Sequence, residues 1–179
     1  MLELMKYDND LHCYVRNFLN LEAEFLDDKK LKEWLALFID EAIHYIVPVR
    51  LTRMLEDGSG FDENTSLQDD DFPALRMRVN RLKSTAAWSE NPPTRLRHFI
   101  TNIRLGNKTK IGNSPDDFQV EVKSNVLVFR SRGESPNFDL LSAERHDTLR
   151  QVSGEMKILR REVLVDHTTI PTNNFAFFF

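Results

Sequence analysis

The sequence predicts an α+β fold in which N-terminal helices, with one later helix, pack on a curved, mostly antiparallel mixed sheet. Three observations support this prediction. Apolar residues recur at helical spacing within residues 1–41, most residues from 94 onward follow a strand-like pattern, and short turn-forming joins separate those strands. Strands that are joined so closely pair antiparallel. Helices on one side of a curved sheet enclose a cone with an apolar interior.

Two helices are predicted within residues 1–41. The apolar stripe of the first consists of Leu11, Tyr14, Val15, Phe18, Leu21 and Phe25, and mostly on other faces lie Arg16, Asn20, Glu22 and Glu24. Asp27 and Asp28 offer a stop and a new N-cap. The second stripe consists of Leu31, Trp34, Leu35 and Phe38. We expect Phe38 to close this second helix.

The middle of the chain is predicted to hold one strand, one loop and one helix. Residues 42–53 are rich in β-branched and aromatic side chains, and Pro48 makes this first strand either an edge strand or a bulged one. Residues 54–71 are acidic and turn-rich, which predicts a long loop. The helix at 72–85 starts near Pro73, which a first turn tolerates. Its basic residues form either a solvated flank or a docking surface.

Residues 94–166 are predicted to form antiparallel strands, at about 94–106, 117–132, 137–149 and 154–166. Turn residues separate them, beginning with Gly106 and Asn107. One face of the second of these strands consists of Phe118, Val120, Val122, Val126 and Val128. In the last strand, Ile158 is predicted to face away from Val163 and Val165.

Part of the predicted outer face of the sheet is also apolar, because Leu127 and Phe129 lie opposite the valines of their strand. The helices can cover only one face. Either the sheet coils on itself or a second subunit covers this area, and we favour the subunit.

Composition limits the class of protein. A chain of 179 residues fits one domain, residues 1–179, with residues 167–179 as a C-terminal tail. A net charge of −4 argues against a nucleic-acid binder. The single cysteine, Cys13, excludes an intramolecular disulfide and fits a reducing compartment. The first residues lack a signal-peptide pattern, and no apolar run approaches the roughly 18 residues of a membrane span. We expect a cytoplasmic protein that does not bind membranes.

The sequence shows little sign of catalytic or metal-binding chemistry. One cysteine cannot supply a Rieske cluster, which needs two Cys and two His ligands. No histidine has an acidic residue two places later, as in the mononuclear iron sites of cupin-like folds. The pair His146 and Asp147 would point to opposite faces of a strand. P-loop and nucleophile-elbow motifs are also absent from the sequence. We therefore expect no metal, cofactor or catalytic residue in this chain.

An acid–base enzyme is the alternative. Residues 36–42 (ALFIDEA) resemble a turn in ketosteroid isomerases, whose general base is an aspartate on the first strand. Here that position is Ile46, which cannot take a proton. A stand-alone lyase or isomerase would have to use another pocket group, such as His44 or His98. A transport or scaffold adaptor of the same fold is a weaker alternative.

Three stretches carry a family resemblance. The first is residues 22–27 (EAEFLD) with residues 34–37 (WLAL) and the pattern Tyr45-x-x-Pro48-x-Arg50. The second, and most specific, is residues 88–102 (WSENPPTRLRHFITN). The third comprises Arg160, Arg161, Asp166 and residues 172–179 (TNNFAFFF). Together they resemble the β (small) subunit of aromatic-ring-hydroxylating dioxygenases of the biphenyl, cumene and naphthalene type. The element order also resembles the nuclear-transport-factor-like (cystatin-like) superfamily.

The resemblance implies a non-catalytic subunit of an assembly. Such β subunits assemble three-and-three with a catalytic α subunit and contact one another within the trimer. The α subunit carries the [2Fe-2S] Rieske cluster and the mononuclear Fe(II), while a ferredoxin and an NADH-dependent reductase supply electrons for cis-dihydroxylation. Residues 55–71 and 76–83 would be candidate contacts with the α subunit.

The candidate structural or interface residues follow from the same resemblance. Arg95, Arg97, His98 and Asn102 are expected to order their strand and the adjoining loop, near a subunit boundary, by charge-assisted hydrogen bonds. Residues Phe175–Phe179 form an apolar tail that is expected to be buried against the sheet or a neighbour. Its candidate structural residues are Phe177, Phe178 and Phe179.

Overall fold

The computed structural model describes residues 8–39, 42–54, 56, 58–83, 93–112, 114, 116–172 and 176–179. The helices of this part are α1 (Asn9–Asp27), α2 (Leu31–Leu35) and α3 (Phe72–Lys83). The strands are β1 (His44–Arg50), β2 (Phe61–Asp70), β3 (Thr94–Lys110), β4 (Phe118–Arg132), β5 (Phe138–Val152) and β6 (Glu155–Val165). None of the helices in these ranges is long and apolar enough to cross a membrane.

The strands form one six-stranded sheet in the order β2-β1-β6-β5-β4-β3. Only the pairing of β1 with β6 is parallel, and the other neighbours are antiparallel. The predicted mixed, mostly antiparallel sheet is therefore confirmed. Side chains from the helices and from one face of the sheet share a single apolar core, which puts the interior of the fold between them.

The buried face of α1 differs from the predicted stripe. Asp8 caps the helix by accepting a hydrogen bond from the Leu11 amide at 3.1 Å. The buried residues are Leu11, Val15, Phe18, Leu19, Glu22, Ala23 and Leu26. Tyr14 and Leu21, which the prediction placed inside, are exposed, whereas Glu22 is fully buried. The buried face of α1 is therefore rotated relative to the predicted apolar stripe, and it includes the charged residue Glu22.

Helix α2 ends at Leu35, so the prediction that Phe38 closes it is wrong. Phe38 instead forms a parallel bridge with Ile158 of β6. The Ile39 amide donates to the Ile158 carbonyl at 3.0 Å, and the Ile158 amide donates to the Leu37 carbonyl at 2.8 Å. These residues extend the parallel pairing along β6, and an extended backbone cannot also be helical.

Strand β1 is internal, so of the two possibilities for Pro48 the bulged strand is correct. Its pairing with β6 reaches only Ile46, and its register with β2 shifts on both sides of Pro48. Proline lacks an N–H, and it is accepted here because the regular ladder is already interrupted.

The loop predicted at 54–71 is wrong for Phe61–Asp70, which forms the edge strand β2. The strand escaped prediction because its buried side chains, Gln68 and Asp70, are polar. Asp70 accepts hydrogen bonds from Arg78 of α3 at 2.5 Å and from Gln68 at 3.3 Å. Helix α3 agrees with the prediction as far as residue 83, and residues 84–85 lie outside the described ranges.

Gly106 was predicted to begin a turn, but it lies within the long strand β3. The β3–β4 register shifts between Leu105 and Lys108. A Cβ at position 106 would come within 3.1 Å of the Glu121 Cβ, so glycine here permits close approach at an irregularity rather than chain reversal.

The predicted facing of β6 is also wrong, because the strand contains a bulge. Leu149 of β5 pairs with Ile158, whereas the preceding Thr148 pairs with Arg160, so one extra residue is accommodated. Ile158 therefore points inward together with Arg161, Val163 and Val165.

Candidate functional site

A cluster of four charged side chains occupies the interior of the fold. This buried polar centre comprises Glu22 of α1, Arg145 and Asp147 of β5, and Arg161 of β6, all of which are almost inaccessible to solvent. Asp147 and Arg161 face each other because they are register partners in the β5–β6 ladder. The helix then places Glu22 above the pair.

Arg161 organises the buried polar centre. Its Nε donates to Asp147 Oδ1 at 2.7 Å and its Nη2 to Asp147 Oδ2 at 3.0 Å. Nη2 also donates to Glu22 Oε2 at 2.9 Å, and Nη1 donates to Glu22 Oε1. Arg145 Nη1 approaches the same Glu22 Oε2 at 3.2 Å. Two acidic and two basic groups thus balance one another, which is what makes their burial tolerable.

The electrostatics favour a structural role for Glu22 over proton transfer. Burial opposes its ionisation, but the charges of Arg161 and Arg145 and hydrogen bonds from Arg161 and Trp34 outweigh burial and lower its pKa to about 2. A general base works best with a pKa near the working pH. Burial opposes the charge on Arg161, yet Asp147 and Glu22 raise its pKa further.

The tail predicted to be buried lies inside the fold, next to the buried polar centre. Phe177, Phe178 and Phe179 are 3%, 2% and 0% exposed. The Phe178 ring stacks on Trp34 with centroids 4.1 Å apart. Arg161 Nη1 donates to the Phe179 main-chain oxygen at 3.1 Å, and the Phe179 amide donates to the Tyr45 hydroxyl at 3.2 Å. Phe175 lies outside the described residues.

His98 connects the tail to the end of α1. Its Nδ1 lies 2.7 Å from Asp27 Oδ1, and its Nε2 lies 3.0 Å from the Phe178 main-chain oxygen. Its amide donates to Asp27 Oδ1 at 3.1 Å. Both ring nitrogens therefore have partners, and one of these partners belongs to the tail.

The other predicted site residues occupy the outer side of β3. Arg97 is mostly exposed and lies 3.7 Å from Asp27 Oδ2, so it shares this carboxylate with His98. Arg95 donates to Ser131 Oγ at 3.2 Å and to the Gly133 carbonyl at 2.5 Å. Asn102 stands apart, with a φ of 51° where the β3–β4 register shifts. Asparagine tolerates this left-handed conformation better than most residues do.

A largely exposed apolar area lies on part of the outer face of β3, β4 and β5. We call this area the outer apolar patch; it comprises Phe99, Leu127, Phe129, Phe138 and Leu140. Phe99 is 56% and Phe138 57% exposed, although both are large aromatic side chains. Ladder pairing brings Phe99 to Leu127 and Phe129 to Leu140, and the Phe129 and Phe138 rings lie 5.4 Å apart. Arg97 borders it as the register partner of Phe129.

The buried polar centre was missed from sequence. A signal existed, because Arg145 and Asp147 occupy the same strand face as Leu141, Ala143 and Leu149. Opposite charges at alternate positions of a buried face predict a paired interior cluster. Within the described ranges, no group of three or more His, Cys, Asp or Glu side chains is arranged to hold a metal ion.

Comparison with known proteins identifies the family. A family model described as ring hydroxylating beta subunit matches residues 21–172. The chain is 35% identical to the chlorobenzene dioxygenase subunit beta of Cupriavidus sp. (strain PS12), over 95% of this chain and 89% of that protein. It is 34% identical to the biphenyl 2,3-dioxygenase subunit beta of Rhodococcus jostii (strain RHA1), over 96% and 90%. It is 32% identical to the N,N-dimethyl phenylurea N-demethylase subunit beta of Sphingobium sp. (strain YBL2), over 90% and 87%.

The fold is also that of a solved dioxygenase chain. A structure of naphthalene 1,2-dioxygenase with indole bound in its active site matches with a TM-score of 0.82 and 23% identity, over 98% of this chain and 89% of that one. A putative scytalone dehydratase from Novosphingobium aromaticivorans matches with a TM-score of 0.57. The predicted nuclear-transport-factor-like fold is thereby confirmed. The chain belongs to the family of ring-hydroxylating dioxygenase β subunits.

Proposed function

We propose that this chain is the non-catalytic small subunit of the terminal oxygenase component of a Rieske non-haem iron dioxygenase. In this proposal it supports assembly with a catalytic α subunit, and the complex dihydroxylates aromatic compounds in cis. Membership of the β-subunit family over nearly the whole chain supports an oxygenase complex as its context.

The outer apolar patch is the observation that carries the assembly role. A contiguous apolar patch on the surface of a single subunit commonly marks an area that a partner covers in the assembled protein. Aromatic residues and arginine are enriched at the centres of interfaces, and here Arg97 borders Phe99 and Phe129. The patch lies where the β3–β4 and β4–β5 pairings have no register shift, which presents a rigid surface for docking.

With the tail in place, the interior of the fold argues against the stand-alone lyase or isomerase. Such an enzyme needs room for a substrate beside an acid–base group. Here the tail residues Phe177, Phe178 and Phe179 fill the space next to the buried polar centre. His98, one of the two histidines that this alternative could use, has Asp27 at one ring nitrogen and the Phe178 oxygen of the tail at the other.

The finer parts of the proposal concern partners and cofactors. The α subunit would carry the [2Fe-2S] Rieske cluster and the mononuclear Fe(II), and three copies of each subunit would assemble with contacts between the small subunits. Ferredoxin and reductase would act through the complex, in the cytoplasm. The β subunits to which this chain is similar are named for a chlorobenzene dioxygenase, a biphenyl dioxygenase and a phenylurea demethylase. Subunits of this family thus belong to enzymes that act on different substrates.

Co-purification tests the proposal. Expressed with its α subunit, the wild-type chain should elute as one large coloured complex. The double variant Phe99→Asn, Leu140→Asn removes apolar contacts from the outer apolar patch, and it should lower the yield of complex at least about tenfold. Val152→Asn is the matched control, because Val152 is an exposed apolar residue at the far end of β5.

Two outcomes would contradict the proposal. One is a complex that forms equally well with the double variant and with the control. The other is a colourless chain that, without any partner, turns over a small carbonyl compound. Circular dichroism of each variant verifies that loss of complex reflects docking and not unfolding.

A further inference from the structure

The tail is held as a bound peptide is held. Residues 176–179 lie outside the six strands, and side chains of the surrounding fold contact their main-chain groups. His98 contacts the Phe178 oxygen, Tyr45 accepts from the Phe179 amide, and Arg161 donates to the Phe179 oxygen. Aromatic stacking on Trp34 completes the arrangement. Polar groups at fixed positions within an aromatic wall are the usual composition of a ligand site.

Three groups that contact the tail, Arg161, His98 and Trp34, also have other partners, whereas the Tyr45 hydroxyl is hydrogen-bonded to Phe179. Arg161 is held by Glu22 and Asp147, and Trp34 Nε1 donates to Glu22 Oε1 at 3.1 Å. His98 is held by Asp27 at 2.7 Å. These contacts come from helices and strands and do not involve residues 176–179. Arg161, His98 and Trp34 would therefore keep a partner with the tail withdrawn, and a site that is pre-organised in this way spends little free energy on ordering itself.

The packing beside the tail is incomplete. A cavity of about 50 Å³ lies beside Ala176, Phe177 and Phe178, and its other walls are Leu26, Lys29, Leu31, Leu82, Thr94 and Leu96. Residues 176–178 thus border this free space as well as the apolar core.

We propose that residues 176–179 are an internal ligand, and that the pocket they fill is a binding site for compounds joining an aromatic ring to a carbonyl or carboxylate oxygen. The ring would stack on Trp34, and the oxygen would accept from Arg161 Nη1 in the place of the Phe179 oxygen. This inference does not depend on the proposed function, since it concerns only the interior of this chain.

Peptide addition tests the site. The receptor is a variant that lacks residues 176–179 and carries Trp88→Phe, so that Trp34 is its single source of tryptophan fluorescence. This variant is titrated with the tetrapeptide AFFF. We expect saturable quenching or shift of the Trp34 fluorescence. The peptide AFAF, which lacks the ring that stacks on Trp34, should bind at least tenfold more weakly. Tyr45→Phe in the receptor should weaken AFFF severalfold, whereas Tyr14→Phe, at an exposed tyrosine, should not.

Thiol labelling of the whole chain tests release of the tail and covers the case in which the shortened variant does not fold. In a Cys13→Ser background, Phe177→Cys is compared with Ala143→Cys, a buried position of β5. Position 177 should react at least tenfold faster, because the tail opens without unfolding the sheet. Equal rates at the two positions would overturn the proposal. A folded shortened variant that binds neither peptide, or both equally, would overturn it as well.

Discussion

The two faces of β5 carry similar charged pairs in very different surroundings. On the inner face, Arg145 and Asp147 join Glu22 and Arg161 away from water. On the outer face, Glu144 accepts from Arg104 at 2.8 Å and lies 2.5 Å from His146 Nε2, with all three side chains partly exposed. Water screens the outer pairs and can replace any lost partner. On the inner face a lost partner leaves a charge that nothing else compensates.

The acidic groups show the same contrast. Both carboxyl pKa values are lowered, but for Glu22 burial opposes the shift and the two arginines overcome it. For Glu144 the main cause is the hydrogen bond from His146, with the hydrogen bond and charge of Arg104 as lesser causes. The buried group therefore depends on its partners for being charged at all, whereas the outer one does not.

The largest effect is expected from Arg161→Met. The substitution leaves Glu22 with Arg145 alone and deprives Asp147 of its partner, so the free energy of unfolding should fall by about 3–5 kcal/mol. The exposed neighbour provides a matched control, and Arg160→Met should change stability by less than about 0.5 kcal/mol. Urea unfolding measures both. Equal losses for the two variants would show that the inner face is not special.

Acid should reproduce part of this loss without a mutation. The pKa of Glu22 is about 2 in the folded chain and 4.5 as its ordinary value, so the unfolded state binds the proton first as pH falls. The stabilisation is thus fully present above about pH 5 and is lost toward pH 2, with a magnitude on the order of 3 kcal/mol.

The double variant Glu22→Gln, Arg145→Met isolates this contribution, because it removes one charge of each sign and keeps the pair of Asp147 and Arg161. Its stability should fall less between pH 5 and pH 3 than that of the wild type, by about 2 kcal/mol. Parallel pH profiles of the two proteins would contradict the assignment to Glu22.

The outer pairs should contribute far less. A double-mutant cycle with Arg104→Ala and Glu144→Ala should give a coupling free energy below about 1 kcal/mol, and added salt should reduce it. A coupling free energy as large as the loss expected for Arg161→Met would mean that exposure to water does not weaken the ion pairs of the outer face.

The smallest effect is expected at the outer apolar patch. Phe138→Ser should alter the stability of the isolated chain by less than about 0.5 kcal/mol, because Phe138 is already mostly exposed. Thermal unfolding of the isolated chain checks this value. A marked loss would show that the outer apolar patch belongs to the core of this chain.

Sequence reasoning worked where the buried face is apolar and failed where it is charged or irregular. The valine-rich face of β4 followed the predicted alternation. Strand β2 was not predicted because its buried residues, Gln68 and Asp70, are polar. Glu22 was placed outside because it lies off the predicted apolar stripe of α1, yet it is fully buried. The partners that make the burial of Glu22 possible, Arg145 and Arg161, lie 123 and 139 residues further along the chain.

The candidate residues were predicted with uneven depth. The tail was expected to be buried because an apolar end seldom remains in water, and Phe177, Phe178 and Phe179 are buried. That its main-chain oxygens meet His98 and Arg161 could not be foreseen, since this requires the relative placement of β3 and β6. Pro48 left two possibilities open because strand order is not encoded in one strand's own residues.

The bulge in β6 has a consequence for changes in chain length. In a regular strand, losing one residue exchanges the contents of the two faces beyond that point. In β6, Ile158 and Arg160 pair with the adjacent residues Leu149 and Thr148 of β5, so β6 already contains one extra residue at this point. Deleting Leu159 would restore simple alternation and still leave Arg161, Val163 and Val165 pointing inward. This position of β6 is therefore where a relative could lose a residue and keep the same interior.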